Sequence, residues 1–146
     1  MKVKSYYDLN VLIAKSLNWV ENKVSDEQQG NIKVWHPPEE SEAKSLDWLK
    51  KHGVVPDFCR NWGLTEEFIL AQCDRENLLV EHDRTPGTIR CTIRKIDSVN
   101  LYYPGVMIFT GEGFRYPKSM SFATCIAWLS FKQIEFQIEF QLELNG

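Results

Sequence analysis

The segment QIEFQIEFQLEL, residues 133–144, constrains the fold more than any other stretch of the chain. Its odd positions hold Gln or Glu, and its even positions hold Ile, Phe or Leu. At 100° per residue this alternation would scatter the apolar side chains around a helix, whereas at 180° per residue it places them all on one face. The segment is therefore predicted to be a long C-terminal β-strand whose apolar face covers a core.

Other alternating segments predict further strands in the second half of the chain. In residues 88–94, Ile89, Cys91 and Ile93 alternate with Thr and Arg, which indicates a half-buried strand. The pattern predicts three more strands, at 78–82, 99–103 and 106–110. Before them, residues 21–31 are polar and are predicted to be a loop, followed by a short strand at 32–35 that ends at two prolines.

Three helices are predicted from apolar residues at helical spacing. They span 8–20, 65–76 and 121–132, with Asp8, Thr65 and Ser121 as the expected N-caps. The last helix is apolar almost all round, which favours burial. The expected fold class is α+β: a mostly antiparallel sheet in the second half, packed by these helices.

Length and composition favour one globular domain over residues 1–146. A chain of this size buries enough surface to fold without disulfides. The four cysteines contain no CxxC pair, the three histidines are far from them in sequence, and no apolar run is long enough for a membrane span. We therefore expect a reduced cytoplasmic protein with free, mostly buried thiols, no metal site and no cofactor.

Charge is distributed unevenly along the chain, although the net formal charge is only −3. Residues 21–81 hold 13 acids and 7 bases, whereas residues 84–118 hold 6 bases and 2 acids. The low overall charge and the lack of a helix-turn-helix pattern disfavour DNA binding. The basic segment leaves two alternatives open: a solvated sheet face or a local anion site.

Catalytic patterns are absent or incomplete. The chain has no GxSxG or HExxH motif, and the GxG at 111–113 is followed by Tyr116 where a third glycine would fall. His82 and Asp83 are adjacent, but no nucleophile stands near them in sequence. A non-enzymatic protein is therefore expected.

Two groups of residues are candidate binding sites, with core packing or a solvated face as the alternative for each. Arginine forks and tyrosine rings can hold a phosphate and stack a base, and the anion or nucleotide candidates are Arg84, Arg90, Arg94, Tyr102, Tyr103, Arg115 and Tyr116. Aromatic residues in loop-rich segments can contact a protein, and the partner-binding candidates are Trp35, Trp48, Phe58 and Trp62.

Three motifs in order along the chain resemble a known group of proteins: DLNVLIAKSLNW, PDFCRNWG and SMSFATCIAWLSF. The pattern is similar to small accessory proteins of tailed phages and prophages, of the phage ABA-sandwich and ninX types. Asn61 and Trp62 stand where these families have Asp-Trp, and Ala123, Cys125 and Ala127 lie in the late helix. The resemblance implies a phage origin, which would place the protein in the host-cell cytoplasm, and carries no catalytic residues.

These observations leave three functional hypotheses. The first is a binding protein that counteracts a host antiviral defence by contact with a host protein. The alternatives are a sponge that sequesters a small nucleotide signal, and a small nucleotide-processing enzyme. A homo-oligomer formed through an exposed strand edge is also expected, because open edges pair readily with copies of themselves.

Overall fold

The computed structural model describes residues 1–28, 30–39, 45–85, 88–95, 106–110 and 117–140. In chain order the elements are β1 (Lys2–Val3), α1 (Tyr6–Ser16), β2 (Val20–Asp26), β3 (Gly30–His36), α2 (Ser45–His52), α3 (Trp62–Leu64), a π-helical turn (Thr65–Leu70), α4 (Ala71–Arg75), β4 (Leu78–Thr85), β5 (Thr88–Lys95), β6 (Val106–Thr110), α5 (Pro117–Phe131) and β7 (Gln137–Ile138).

The second half contains the predicted antiparallel sheet, so the α+β fold is confirmed. Strands β4, β5 and β6 form this sheet in sequence order. On β5 the predicted alternation holds, with Ile89, Cys91 and Ile93 buried. Helix α5 lies against β5 and β6, and α4 contacts β4. The strand predicted at 99–103 lies outside the described residues.

Each predicted helix exists, but each of the three predicted N-caps is wrong. Ser5 caps α1, and its hydroxyl accepts the N–H of Asp8. Asn61 caps α3, so the middle helical run begins three residues before Thr65, which is buried and donates its hydroxyl to Phe58 O. Helix α5 begins at Pro117, and Ser121 is buried within it. Proline at the first helical position needs no hydrogen-bond partner for its nitrogen, and this favours an earlier start.

Helix α1 also ends earlier than predicted, because its last turn closes in a Schellman motif. Asn18 has φ of 61°, and the N–H of Trp19 bonds to Ala14 O. Asparagine tolerates this left-handed conformation, which satisfies the last carbonyls of the helix. Trp19 and Val20, predicted as helical, therefore lead into a strand.

Residues 21–31 were predicted to be a loop, and this prediction is wrong. They form most of a two-stranded antiparallel hairpin in which Val20 pairs with His36 and Asp26 pairs with Gly30. The hairpin lacks a strong apolar alternation because only Val24 and the end near His36 are buried. A solvated hairpin has little hydrophobic periodicity to reveal it.

The C-terminal segment keeps its alternation but forms a much shorter strand than 133–144. Gln133 has φ of 60° and ends α5, and only Gln137–Ile138 pair, in parallel, with Lys2–Val3. The ladder is short because β1 has two residues before the chain turns into α1. Even-numbered side chains from Ile134 to Phe140 still pack against the core, while the odd ones are exposed. Residues 141–144 lie outside the described residues.

Candidate protein-binding groove

The four aromatic residues predicted to bind a partner lie in three separate environments. Phe58 is fully buried, and Trp48 is half-buried in the same aromatic cluster around Trp19. Trp62 is half-buried, with its ring 5.6 Å from that of His82. Trp35 is 9% exposed and lines a surface groove. Of the four, Trp35 therefore connects the core to an accessible site.

The three described arginines of the predicted anion site do not converge. Residues directly opposite each other in a sheet share a face, so Arg84, opposite Ile89, lies on the face that carries the core residues. Arg90 and Arg94 lie on the other face, where Asp83 is opposite Arg90 and Glu81 forms an ion pair with Arg94 at 3.3 Å. Tyr102, Tyr103, Arg115 and Tyr116 lie outside the described residues.

A groove of about 390 Å³ lies between α1 and the β2–β3 hairpin. Its walls come from β1, α1, β2 and β3, and the residues that line it are Met1, Lys2, Tyr7, Asp8, Val11, Leu12, Lys15, Glu21 and Trp35. Among the described residues, the exposed large apolar side chains are Met1, Tyr7 and Val20. Two of these three line the groove, and the third precedes Glu21 in β2. Apolar exposure is thus concentrated at this site.

The start of α1 fixes the position of Tyr7. Ser5 Oγ accepts the N–H of Asp8 at 3.1 Å, and Asp8 Oδ2 accepts the N–H of Lys4 at 3.0 Å. This pair satisfies backbone donors at the N-terminus, where a carboxylate also interacts favourably with the helix dipole. Tyr6 turns inward against Phe122 and Phe140, so the next residue, Tyr7, is directed outward and is 51% exposed.

Charged side chains surround the apolar floor of the groove. Lys15 Nζ lies 5.9 Å from the centre of the Trp35 ring. Lys2 pairs with Glu139 at 3.5 Å, and Glu21 pairs with Lys33 at 3.9 Å. An apolar floor with a charged, solvated rim is the usual arrangement of a protein-binding surface.

Sequence reasoning missed Tyr7, Met1 and Val20. A signal for Tyr7 was present: it falls outside the stripe of Leu9, Leu12 and Ile13 that forms the buried face of α1. An aromatic residue beside that stripe, one turn before Val11, indicates a second apolar surface. Met1 and Val20 carried no such signal, because their exposure depends on β1 and on the unpredicted hairpin.

A second groove, of about 490 Å³, lies between the end of α1, the residues after β3 and the π-helical turn. Trp19, Phe68, Glu67 and Arg75 contribute to its lining. The neighbouring aromatic cluster contains two buried polar atoms without a hydrogen-bond partner, Trp48 Nε1 and His52 Nε2. Burial lowers the pKa of His52, and Lys51 acts in the same direction.

His82 faces the interior of the main sheet. Its Nε2 lies 2.7 Å from Thr124 Oγ1, which donates its own proton to Met120 O, so the imidazole donates to Thr124. Burial lowers the pKa of His82, partly offset by Asp83. No described cysteine, serine or threonine is activated by this imidazole, because Thr124 acts toward it as an acceptor.

The four cysteines are free and buried together near α5. Burial raises the pKa of Cys59, and a contact with Cys125 adds to the effect. Burial also raises the pKa of Cys73 and of Cys91 to about 12. Within the described ranges, no group of three or more His, Cys, Asp or Glu is arranged to hold a metal ion. The helices in those ranges also lack the length and hydrophobicity that a membrane crossing requires.

Comparisons with models of protein families, with curated proteins and with solved structures find no match to this chain. The groove is therefore interpreted from its own geometry. The resemblance to phage accessory proteins stays a prediction from three sequence motifs.

Proposed function

We propose that this chain is a non-enzymatic binding protein whose α1 groove holds a protein partner. The observation that carries the proposal is the convergence of Met1 and Tyr7 over Trp35 in one groove with a charged rim. Exposed apolar side chains that cluster on a surface mark interaction sites, and aromatic residues at their centre supply most of the binding energy.

The partner we propose is a protein of a host cell's antiviral defence, which the chain would block by occupying its surface in the host-cell cytoplasm. This identity rests on the resemblance to phage accessory proteins. The groove supports the general mode, since its rim contains both signs of charge and its floor is apolar. Such a surface suits a folded protein that inserts one apolar side chain between polar contacts.

The nucleotide-sponge alternative has less support from the described residues. Arg90 and Arg94 have acidic neighbours on their own face of the sheet, and Arg84 lies on the opposite face. Carboxylates beside these arginines compete with a phosphate for the same guanidinium donors. The small-enzyme alternative would need a nucleophile or a cluster of acids, and His82 donates to Thr124 rather than activating it.

Site-specific photocrosslinking in host cells tests the proposal. A photoreactive phenylalanine analogue at position 7 should form one dominant adduct with a host protein, because that side chain stands at the groove. The matched control carries the same group at Asp83, which is exposed on the outer face of β4, the face of Arg90 and Arg94. Adducts from position 83 alone, or equal background from both positions, would contradict a partner at the groove.

A homo-oligomer formed through an exposed strand edge is the second part of the proposed function. Its support is the β2–β3 hairpin, a two-stranded sheet within the described residues. Its mass in solution is measured separately from partner binding, as set out next.

A further inference from the structure

The outer edge of β2 presents backbone groups to solvent. Trp35 donates its N–H to Val54 O at 2.9 Å and so directs it away from β2. Trp35 lies opposite Glu21, which makes this a non-hydrogen-bonded pair of the antiparallel ladder. Such pairs alternate with bonded ones, so Lys23 opposite Lys33 and Ser25 opposite Asn31 are also non-bonded. The N–H and C=O groups of Glu21, Lys23 and Ser25 therefore point outward.

These outward groups are open among the described residues. None of them forms a backbone hydrogen bond within the described part of the chain, and the side chains of Glu21, Lys23 and Ser25 are exposed. The edge of β3 is less accessible, because Val54 already occupies it at Trp35. A row of three open positions is the template that an added strand requires.

The two faces of this edge differ in chemistry. Val20 and Val24 lie on one face, with Val20 39% exposed. Lys23 lies on the other face, directly opposite Lys33, at the closer of the two pair spacings. Like charges in this position destabilise a hairpin, and Lys23 has no ion pair with a described residue. The edge therefore fits a strand with apolar residues on one face and an acidic residue on the other.

The chain itself contains a segment of this composition. Residues 141–144, QLEL, continue the alternation of the C-terminal segment and lie after Phe140, whose ring is 4.8 Å from that of Tyr6. The even side chains from Ile134 to Phe140 are committed to the chain's own core. The last period, with Leu142, Glu143 and Leu144, therefore remains for another contact.

We propose that residues 141–144 of a second copy add to the open edge of β2, and that the exchange is reciprocal. Leu142 and Leu144 would meet Val20 and Val24, and Glu143 would lie between Lys23 and Lys33. Gln141 and Asn145, two residues either side of Glu143, are uncharged, so neither repels Glu21. Two-fold symmetry supplies two such contacts for each dimer. This inference deepens the oligomeric part of the proposed function and rests on it.

Light scattering coupled to size-exclusion chromatography tests the proposal on the full chain and on a variant lacking residues 141–146. The full chain should have twice the mass of one chain, and the truncated variant the mass of one chain with an unchanged melting temperature. A monomeric full chain would overturn the proposal, as would a truncated variant that remains dimeric.

Charge reversal identifies the edge that receives the segment. Lys23→Glu places like charges at both contacts and should weaken the dimer about tenfold, and Glu143→Lys in the same chain should restore it. Lys23→Pro should also weaken the dimer, because proline removes the outward N–H while breaking no hairpin bond. Lys33→Pro, at the outward position of β3, is the matched control and should leave the dimer intact. Equal effects of the two prolines, or no rescue by the double reversal, would overturn the assignment to β2.

Partner binding is measured independently on the truncated variant. If it still crosslinks to a host protein from position 7 but remains dimeric, the strand exchange fails while the groove proposal stands. If it becomes monomeric and neither form gives a crosslink, the strand exchange stands and the groove proposal fails.

Discussion

The side-chain amide of Asn10 donates a hydrogen bond to Asp57 Oδ1 at 3.1 Å, across 47 residues of sequence. Asn10 Oδ1 also accepts the N–H of Cys59 at 3.2 Å, and Asp57 accepts from Arg60 Nε at 2.8 Å. Asn10 is only 3% exposed, so this buried amide joins α1 to the irregular segment before α3. The position of α1, and with it the groove, depends on this connection.

Asn10→Ala should lower the free energy of unfolding by about 2 kcal/mol, because it leaves the buried N–H of Cys59 without an acceptor. Urea unfolding measures the change. Asn31→Ala is the control: its Oδ1 accepts from Ser25 Oγ at 2.9 Å at an exposed position, and its loss should cost less than about 0.5 kcal/mol. Equal losses in the two variants would contradict a special role for Asn10.

A second buried bond ties α1 to α5. The indole N–H of Trp128 donates to Ser16 Oγ at 2.7 Å, and Ser16 donates in turn to Ile13 O at 2.6 Å. Trp128 is fully buried, so Ser16→Ala should cost about 1–2 kcal/mol by leaving the indole donor unpaired. In a double-mutant cycle, Trp128→Phe should remove most of the effect of Ser16→Ala. Additive losses would show that the two side chains do not interact.

The buried cysteines should not react in the folded protein. The thiolate is the reactive form, and burial raises the pKa of Cys73 and of Cys91 to about 12. A colorimetric thiol reagent at pH 8 should therefore label native protein only at the rate of unfolding. The same protein in guanidinium chloride should release four equivalents at once, since the chain has four cysteines. Rapid labelling of native protein would contradict the packing around α5.

Stability should decrease as the pH falls below the ordinary pKa of histidine. Burial lowers the pKa of His82 in the folded state, so the unfolded chain binds a proton first as the pH drops. The contribution of His82 is complete above pH 6.5 and is lost as the pH falls through the lowered pKa. Around this imidazole lie Asp83 on β4, Cys91 on β5, Thr124 on α5 and Trp62 on α3.

His82→Gln tests this origin, since glutamine does not titrate. Urea unfolding at pH 7.5 and at pH 5.5 should show a loss of about 0.5 kcal/mol in the native chain from His82 alone, allowing for its partial exposure. The loss should be smaller in His82→Gln, with the remainder due in part to His52, whose pKa is also lowered. An identical pH dependence in both proteins would exclude His82 as a source.

The parts of the fold that sequence patterns predicted are those where burial produces periodicity. The alternation of Ile89, Cys91 and Ile93 identified β5, and the apolar run from Phe122 to Leu129 identified α5. Element boundaries failed where local hydrogen bonds decided them. Ser5 rather than Asp8 caps α1, and the left-handed Asn18 ends it.

The candidate site was predicted only through Trp35. Its accessible edge depends on the hairpin, whose strands carry too few buried residues to show a pattern, and on β1, which has two residues. The C-terminal alternation correctly sorted the side chains of residues 134–140 into packed and exposed faces. It could not reveal the length of the ladder, because that length is set by the partner strand β1.

The affinity of the protein crosslinked at position 7, measured by isothermal titration with purified components, tests the central claim most directly. Tyr7→Ala should weaken binding by about tenfold or more, since an aromatic side chain at the centre of an interface contributes more than about 1 kcal/mol. Its exposure means that folding should be unaffected, and Asp83→Ala should bind as tightly as the native chain. Equal affinities for the native chain and Tyr7→Ala would contradict a partner in the α1 groove.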